Sequence, residues 1–270
     1  MDLPLQHVTR FCFAASYAVA LALELVQLVF PRPIVRWAGL AFGAAGLLAH
    51  TVFLVIQRPL VATPHGSLIV LSWVVAVFYL YGAVHHRKLA WAIFVLPLVL
   101  GLVVLAGAFP PEPTDTTPRW FTGDTFWGAV HGSLVLLAAI GLSVACLASL
   151  MYLVQARRLK SKLAPGEGLR LPSLERLTQM NRRAITWAFP MLTAGLLLGL
   201  VLLAQRESAE WTALKISSTV ALWLAFAVLL YLRYGAGVSN RRLAVLTIAA
   251  FGLLLITLVA AHPVAGGGGL

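Results

Sequence analysis

The chain is 270 residues long, 60% hydrophobic and 11% charged, whereas a soluble domain carries about a quarter charged residues, so a water-soluble fold could not bury this much apolar surface. Its formal net charge of +11 would suit nucleic acid in a soluble protein, but here the basic residues sit between apolar blocks and report topology, so no nucleic-acid partner is expected. Cys12 and Cys146 each lie inside an apolar block; a CxxC redox motif and a thiolate metal cluster are excluded, and both cysteines are expected to pack.

The apolar blocks are about twenty residues long, the length at which an α-helix crosses roughly 30 Å of hydrocarbon. Backbone groups in that medium must pair within the segment, which leaves helices or a closed barrel. Unbroken apolar runs exclude the alternating pattern of a barrel. The expected fold is therefore an all-α polytopic transmembrane bundle of about eight helices, with residues 1–270 forming a single transmembrane domain. The leading segment MDLPLQHVTR carries one Arg and no clear small-residue cleavage site, so the first helix, about 11–30, is read as retained. It carries Glu24, an ionisable group within a span and so a candidate for function; an interhelical hydrogen bond is its structural explanation.

The second helix, about 37–57, holds His50; the third, about 66–84, has Ser72 and Trp73 near its start; the fourth covers about 89–108. The fifth, about 126–154, opens with Trp127 and His131. The sixth, seventh and eighth cover about 185–205, 213–233 and 243–262, the last closing on His262. Pro97 and Pro190 fall inside spans, which membrane helices tolerate. The longest connection, 155–184, holds Arg157, Arg158, Lys160, Lys162, Arg170, Arg176, Arg182 and Arg183 and is expected to be cytoplasmic. Within it PSLERLTQMNRRAI, with Ser173 as an N-cap before Leu174, Leu177 and Met180, reads as an amphipathic helix lying along the inner headgroups.

Placing that connection inside puts 31–36, 85–88 and 234–242 inside too, and both termini outside. Arg32, Arg36, Arg87, Lys88, Arg233, Arg241 and Arg242 then bring the inner basic residues to fifteen, against Arg10, Arg58, Arg119, Arg206 and Lys215 on the outer side. One orientation thus accounts for a threefold excess.

His50, His65, His131 and His262 all fall toward the outer side in that orientation, whereas His85 and His86 flank the membrane beside Arg87 and Lys88, and His7 lies in the leading tail. Neutral imidazole binds iron through one ring nitrogen, and haem iron accepts one such ligand on each face. An interfacial histidine also serves simply as a hydrogen-bonding or snorkelling residue. Trp73, Trp120, Phe121, Phe126, Trp127 and Trp211 occupy the same half; an aromatic belt and a porphyrin-stacking wall use the same rings.

The stretch FWGAVHGSLVLLAAIGLSVACLASLMYLVQARRLK (126–160), supported by LLAHTVFLVIQRP with PHGSLIVLSW and by LPSLERLTQMNRRAITWAFPMLTAGLLLG, resembles the CcsA/HemX-type cytochrome c assembly proteins, with order and spacing matching across nearly the whole chain. That resemblance implies haem handling at the outer face of a bacterial cytoplasmic membrane, with haem b as cofactor. His131 matches the family's outer-face histidine and His50 its histidine in an early helix, so both are candidate iron ligands. His262 is an approximate match to the last outer histidine, and Trp127 and Trp211 would shield the site. The family's WGxxWxWDPKE signature is altered: in RESAEWTALKISSTVALWLAF, Lys215 and Trp223 keep the spacing, Trp211 is one position off, the Asp is absent, and Tyr231 or a neighbour replaces a histidine. These departures point to the shorter, HemX-like branch.

The functional expectation is a haem-handling accessory protein of cytochrome c maturation, not an enzyme. Its partners would be haem, membrane lipid, a second membrane assembly protein with an outer domain and, through it, apocytochrome c. No HExxH, nucleophile–base pair or phosphate-binding Gly-rich loop is present. A second reading is a regulatory or structural protein that keeps the scaffold without haem, for example modulating haem synthesis. A third is a small-molecule transporter, suggested by the helix number and Glu24.

Overall fold

The fold, taken from a computed structural model, is described for residues 9–59, 63–85, 90–109, 123–161, 171–204 and 213–260. His7, His86, Arg87, Lys88, Arg119, Trp120, Phe121, Lys162, Arg170, Arg206, Trp211 and His262 lie outside them, as does the side chain of Lys215. Among the described residues every regular element is an α-helix: α1 (Arg10–Val29), α2 (Pro33–Gln57), α3 (Pro64–His85), α4 (Ala92–Gly107), α5 (Gly123–Lys160), α6 (Leu174–Ala204), α7 (Ala213–Tyr234) and α8 (Asn240–Ala260). Seven are long and apolar enough to cross a membrane, and α4 is a shorter apolar helix of 16 residues. The chain is a multi-pass helical membrane protein, and all eight expected helices form.

The expected surface helix at 172–185 needs correction. Residues 174–204 form one continuous helix, so PSLERLTQMNRRAI opens α6 instead of lying apart from it. Ser173 Oγ accepts a hydrogen bond from the Arg176 amide at 3.3 Å, the pairing of an N-cap with N3. No Gly or Pro interrupts 174–189, so nothing breaks the helix between its polar first turns and its apolar body. At the other side of the connection α5 reaches Lys160, and the expected 155–184 loop shrinks to 161–173. With 38 residues, α5 is about 57 Å long, well beyond a hydrocarbon core.

The contacts of the chain form two compact units. One consists of Met1–Leu60, His65–Thr114 and Leu153–Arg176; the other of Val61–Pro64, Asp115–Tyr152 and Leu177–Leu270. In the first unit α1 packs on α2 and α4, and glycines on α2 set the spacing. Gly46 lies against Tyr17 and Ser16 of α1, Gly39 against Leu23 of α1, and Gly43 against the Tyr79 ring of α3. Without a hydrophobic drive between helices in lipid, such close backbone approach supplies the packing. Cys12 departs from expectation: it is exposed, whereas Cys146 is buried in the second unit as expected. Glu24 faces Gly39 of α2 and lies within electrostatic range of Arg36; among the described residues it makes no interhelical hydrogen bond.

In the second unit α7 pairs with α8, while α5 and α6 meet along small residues. Gly141 of α5 faces Ala184 and Ala188, and Gly195 of α6 faces Leu134 and Val135. Trp223 of α7 donates Nε1–H to Thr193 Oγ1 of α6 at 3.1 Å, so a residue retained from the altered signature ties α7 to α6.

These close approaches are testable. A Cβ at Gly43 would stand 2.6 Å from Tyr79 ring atoms, and Tyr79 is fully buried, whereas a Cβ at Gly101 meets nothing within 4 Å. Gly43→Ala is expected to lower stability by about 1–3 kcal/mol and Gly101→Ala to leave it unchanged or slightly raised, measured by thermal denaturation in one detergent.

Candidate functional site

His131 stands near the start of α5, two turns in from Gly123, and is partly buried against α6. Its Nδ1 lies 2.7 Å from the Gly195 carbonyl oxygen. A carbonyl can only accept, so Nδ1 carries the proton and donates, and Nε2 keeps the lone pair of the neutral ring. A backbone carbonyl on one nitrogen, fixing the tautomer and aiming the other, is the usual support of a metal-binding histidine. Gly199, one turn beyond Gly195, makes room for the ring: a Cβ there would come within 2.7 Å of His131 Cε1. The GLLLG run of α6 therefore brings two helices together and frames an imidazole whose other nitrogen makes no hydrogen bond among the described residues.

Trp127 lies one turn before His131 and so on the same side of α5. It is 50% exposed and meets Phe126 edge to face at 5.4 Å between ring centroids. A wide indole at the helix start thus stands beside the histidine, available to cover one flank. Trp211 and His262, the other two expected members of this site, lie outside the described residues.

His50 has a different setting. In the first unit it is fully buried, its ring stacked on Phe13 at 4.1 Å and 2° between planes, with Tyr17 edge-on at 6.1 Å. The Tyr17 hydroxyl lies 3.4 Å from Nδ1. Nε2 is buried without a hydrogen-bond partner among the described residues, and the Ile69 backbone of α3 lies near the ring. A porphyrin at that nitrogen would require the packing around the ring to open, since none fits where Phe13 already stacks on it and the α3 backbone lies close.

His65 repeats the geometry of His131 within the first unit. It is 3% exposed, near the start of α3, and its Nδ1 donates to the Ala106 carbonyl at the end of α4 over 2.9 Å. Sequence reasoning placed His65 on the outer side without seeing its partner, because no side-chain motif marks a backbone carbonyl. The four-residue spacing of Gly195 and Gly199 was the one available sign of the His131 cradle. Among the described residues no three His, Cys, Asp or Glu side chains converge as a metal cluster.

Fold and site together define a multi-pass helical membrane protein in which one helix braces a histidine of another through a backbone carbonyl. Its family is narrower. The model of the cytochrome C assembly protein family matches residues 61–262, and the chain belongs to that family. Curated relatives include the cytochrome c biogenesis protein CcsA of Prochlorococcus marinus (strain MIT 9313), 26% identical, with 59% of each chain covered. The protein of the same name from Synechococcus sp. (strain CC9902) is 28% identical over 59% of this chain and 60% of its own length. The chain thus spans about three-fifths of the length of the curated relatives it matches. No solved structure matches it.

The Gly199 notch makes the tautomer of His131 a measurable property. Gly199→Ala is expected to turn the ring and cost about 1 kcal/mol through its hydrogen bond. In histidine-labelled protein the Nδ1–H signal of His131, assigned by its loss in His131→Gln, should weaken or begin to exchange; an unchanged signal would remove the cradle from the site.

Proposed function

We propose that this chain is a haem-handling component of cytochrome c maturation, with His131 as an axial ligand. The observation that carries the reading is the His131 imidazole, pinned at Nδ1 by the Gly195 carbonyl and left with a lone pair at Nε2 beside Trp127. Membership of the cytochrome C assembly protein family supports the pathway. Bound haem would supply an iron able to take an imidazole nitrogen on each face. His131 holds the lone pair in one direction, Gly195 O keeps the proton on the far nitrogen, and Trp127 with Phe126 limits water at that flank.

Helix alternation and the excess of basic residues support an outer-side position for His131, in this reading at a bacterial cytoplasmic membrane. In this reading the chain binds and positions haem and is not itself an enzyme. A second membrane protein with an outer domain would present the apocytochrome. His262 and His50 stand as candidates for the second ligand, His50 only in a state where α3 has moved off its ring. The enclosure of His50 and the altered tryptophan signature favour an alternative in which the scaffold regulates haem-protein assembly without holding haem.

Protein produced with excess haem and purified in detergent separates the two. The expected result is a Soret band that falls about tenfold in His131→Ala, the loss of a bond worth about 1.4 kcal/mol or more, and returns on adding imidazole. His50→Ala and His262→Ala then identify the second ligand by which of them shifts the band. Absence of haem in the wild-type protein, or an undiminished band in His131→Ala with a normal helical spectrum, would leave the regulatory reading.

A further inference from the structure

At the opposite end of the second unit, where α7 ends and α8 begins, two arginines stand together without a carboxylate. Arg233, next to last in α7, is partly buried. Its guanidinium donates to Asn181 Oδ1 and, at 3.5 Å, to Asn240 Oδ1. Asn181 is only 4% exposed, and its amide nitrogen donates to Ala145 O at 3.1 Å, Ser149 Oγ at 2.9 Å and Thr247 Oγ1 at 3.3 Å. Those acceptors on α5 and α8 fix the amide, so its oxygen has to face the arginine.

Arg182 of α6 is exposed and held from below. Its Nε donates to the Tyr234 hydroxyl at 3.1 Å, its charge centre lies 4.8 Å from that ring's centroid, and the same hydroxyl lies 2.8 Å from Thr186 Oγ1. Arg182 and Arg233 are near enough to act on each other electrostatically. Among the described residues no carboxylate is within ion-pairing distance of either.

In the sequence the carboxylates of this unit, Asp115, Asp124, Glu207 and Glu210, fall before or at the start of α5 and after the end of α6, none of them on α7 or α8. Glu175 precedes Arg182 by seven residues on α6, and Glu167 lies outside the described residues. Two like charges, one partly withdrawn from water, are costly unless an anion joins them.

We infer that Arg182 and Arg233 bind the phosphate of an anionic phospholipid headgroup. Guanidinium forks match phosphate oxygens and keep their charge at any membrane depth, and basic pockets between helix ends are where such headgroups dock. The asparagines add what a simple charged rim lacks: both hold Arg233 by neutral oxygens, which orients the cation and leaves its charge uncompensated. A cavity of about 10 Å³ lined by Ser149, Thr178, Asn181, Arg233 and Asn240 adjoins it, room for one water that would hydrogen-bond there. Exposed Tyr231 and Tyr234 give the corner the aromatic edge of a membrane interface.

The test uses the full chain in nanodiscs of phosphatidylglycerol or of phosphatidylcholine, with bound lipid counted by native mass spectrometry after gentle extraction. Phosphatidylglycerol should be retained in preference, and Arg182→Gln should lower that retention about fivefold, the effect of one basic residue at a lipid surface. Arg32→Gln, the same charge removed from the start of α2, should not. Arg233→Gln risks the fold through Asn181, so the exposed Arg182 decides. Equal retention of the two lipids, or equal losses in Arg182→Gln and Arg32→Gln, would overturn the site. If millimolar inorganic phosphate displaces phosphatidylglycerol and is itself retained, the occupant is a free anion and the lipid assignment fails.

Discussion

Hydrocarbon offers no water to a polar group, so each one carried into the membrane must find its partner on the same helix or a neighbour. In this protein the partner is repeatedly backbone. His131 uses the Gly195 carbonyl, His65 the Ala106 carbonyl, and Asn181 the Ala145 carbonyl along with two hydroxyls. A carbonyl reaches a side chain across a helix interface only when the helices come close, and in the second unit that closeness comes from Gly141, Gly195 and Gly199. Polar placement and small-residue packing are therefore one arrangement. The glycines that let α5 and α6 approach also set which histidine nitrogen bears the proton.

Much of the fold could be read from the chain because hydropathy measures the one quantity a bilayer selects for. Apolar blocks near the span length marked all eight helices. What failed was the start of α6. Residues 174–185 carry Glu175, Arg176, Arg182 and Arg183, so their hydropathy is low and the block seemed to begin at 185. Helicity is a property of the backbone, and Ser173 capped it there whatever the polarity of the turns that followed. The ionic residues project beyond the hydrocarbon on a helix longer than the membrane is thick. The exposure of Cys12 escaped for a related reason: in a spanning helix an apolar block looks alike on the face toward lipid and the face toward a neighbour.

Depth along a helix could be read from the sequence; rotation about its axis could not. His50 and His131 stood as equivalent candidates, each in a helix, each on the outer side, each matched to a family position. The structure gives them opposite environments. His50 is sealed between Phe13 and Tyr17, and its burial among aromatic rings makes it a core residue of the first unit as it stands. His131 has one nitrogen held by a backbone carbonyl and, among the described residues, no hydrogen bond at the other. The difference lies in the neighbours: aromatic side chains close around His50, whereas α6 offers His131 glycines. Family membership applies to both residues alike and so cannot rank them.

The same seam joins the two ends of the second unit. His131 leans on α6 at Gly195 and Gly199, two turns further in Gly141 meets Ala184 and Ala188, and beyond them Asn181 of α6 reaches Ala145 and Ser149 of α5. A tilt of α6 relative to α5 about the glycine contact would displace the His131 brace in one direction and the Asn181 amide in the other. Asn181 is in turn what orients Arg233. Since packed interfaces resist continuous deformation, the small-residue contact of α5 with α6 keeps the histidine brace and the Asn181 amide in register with one another.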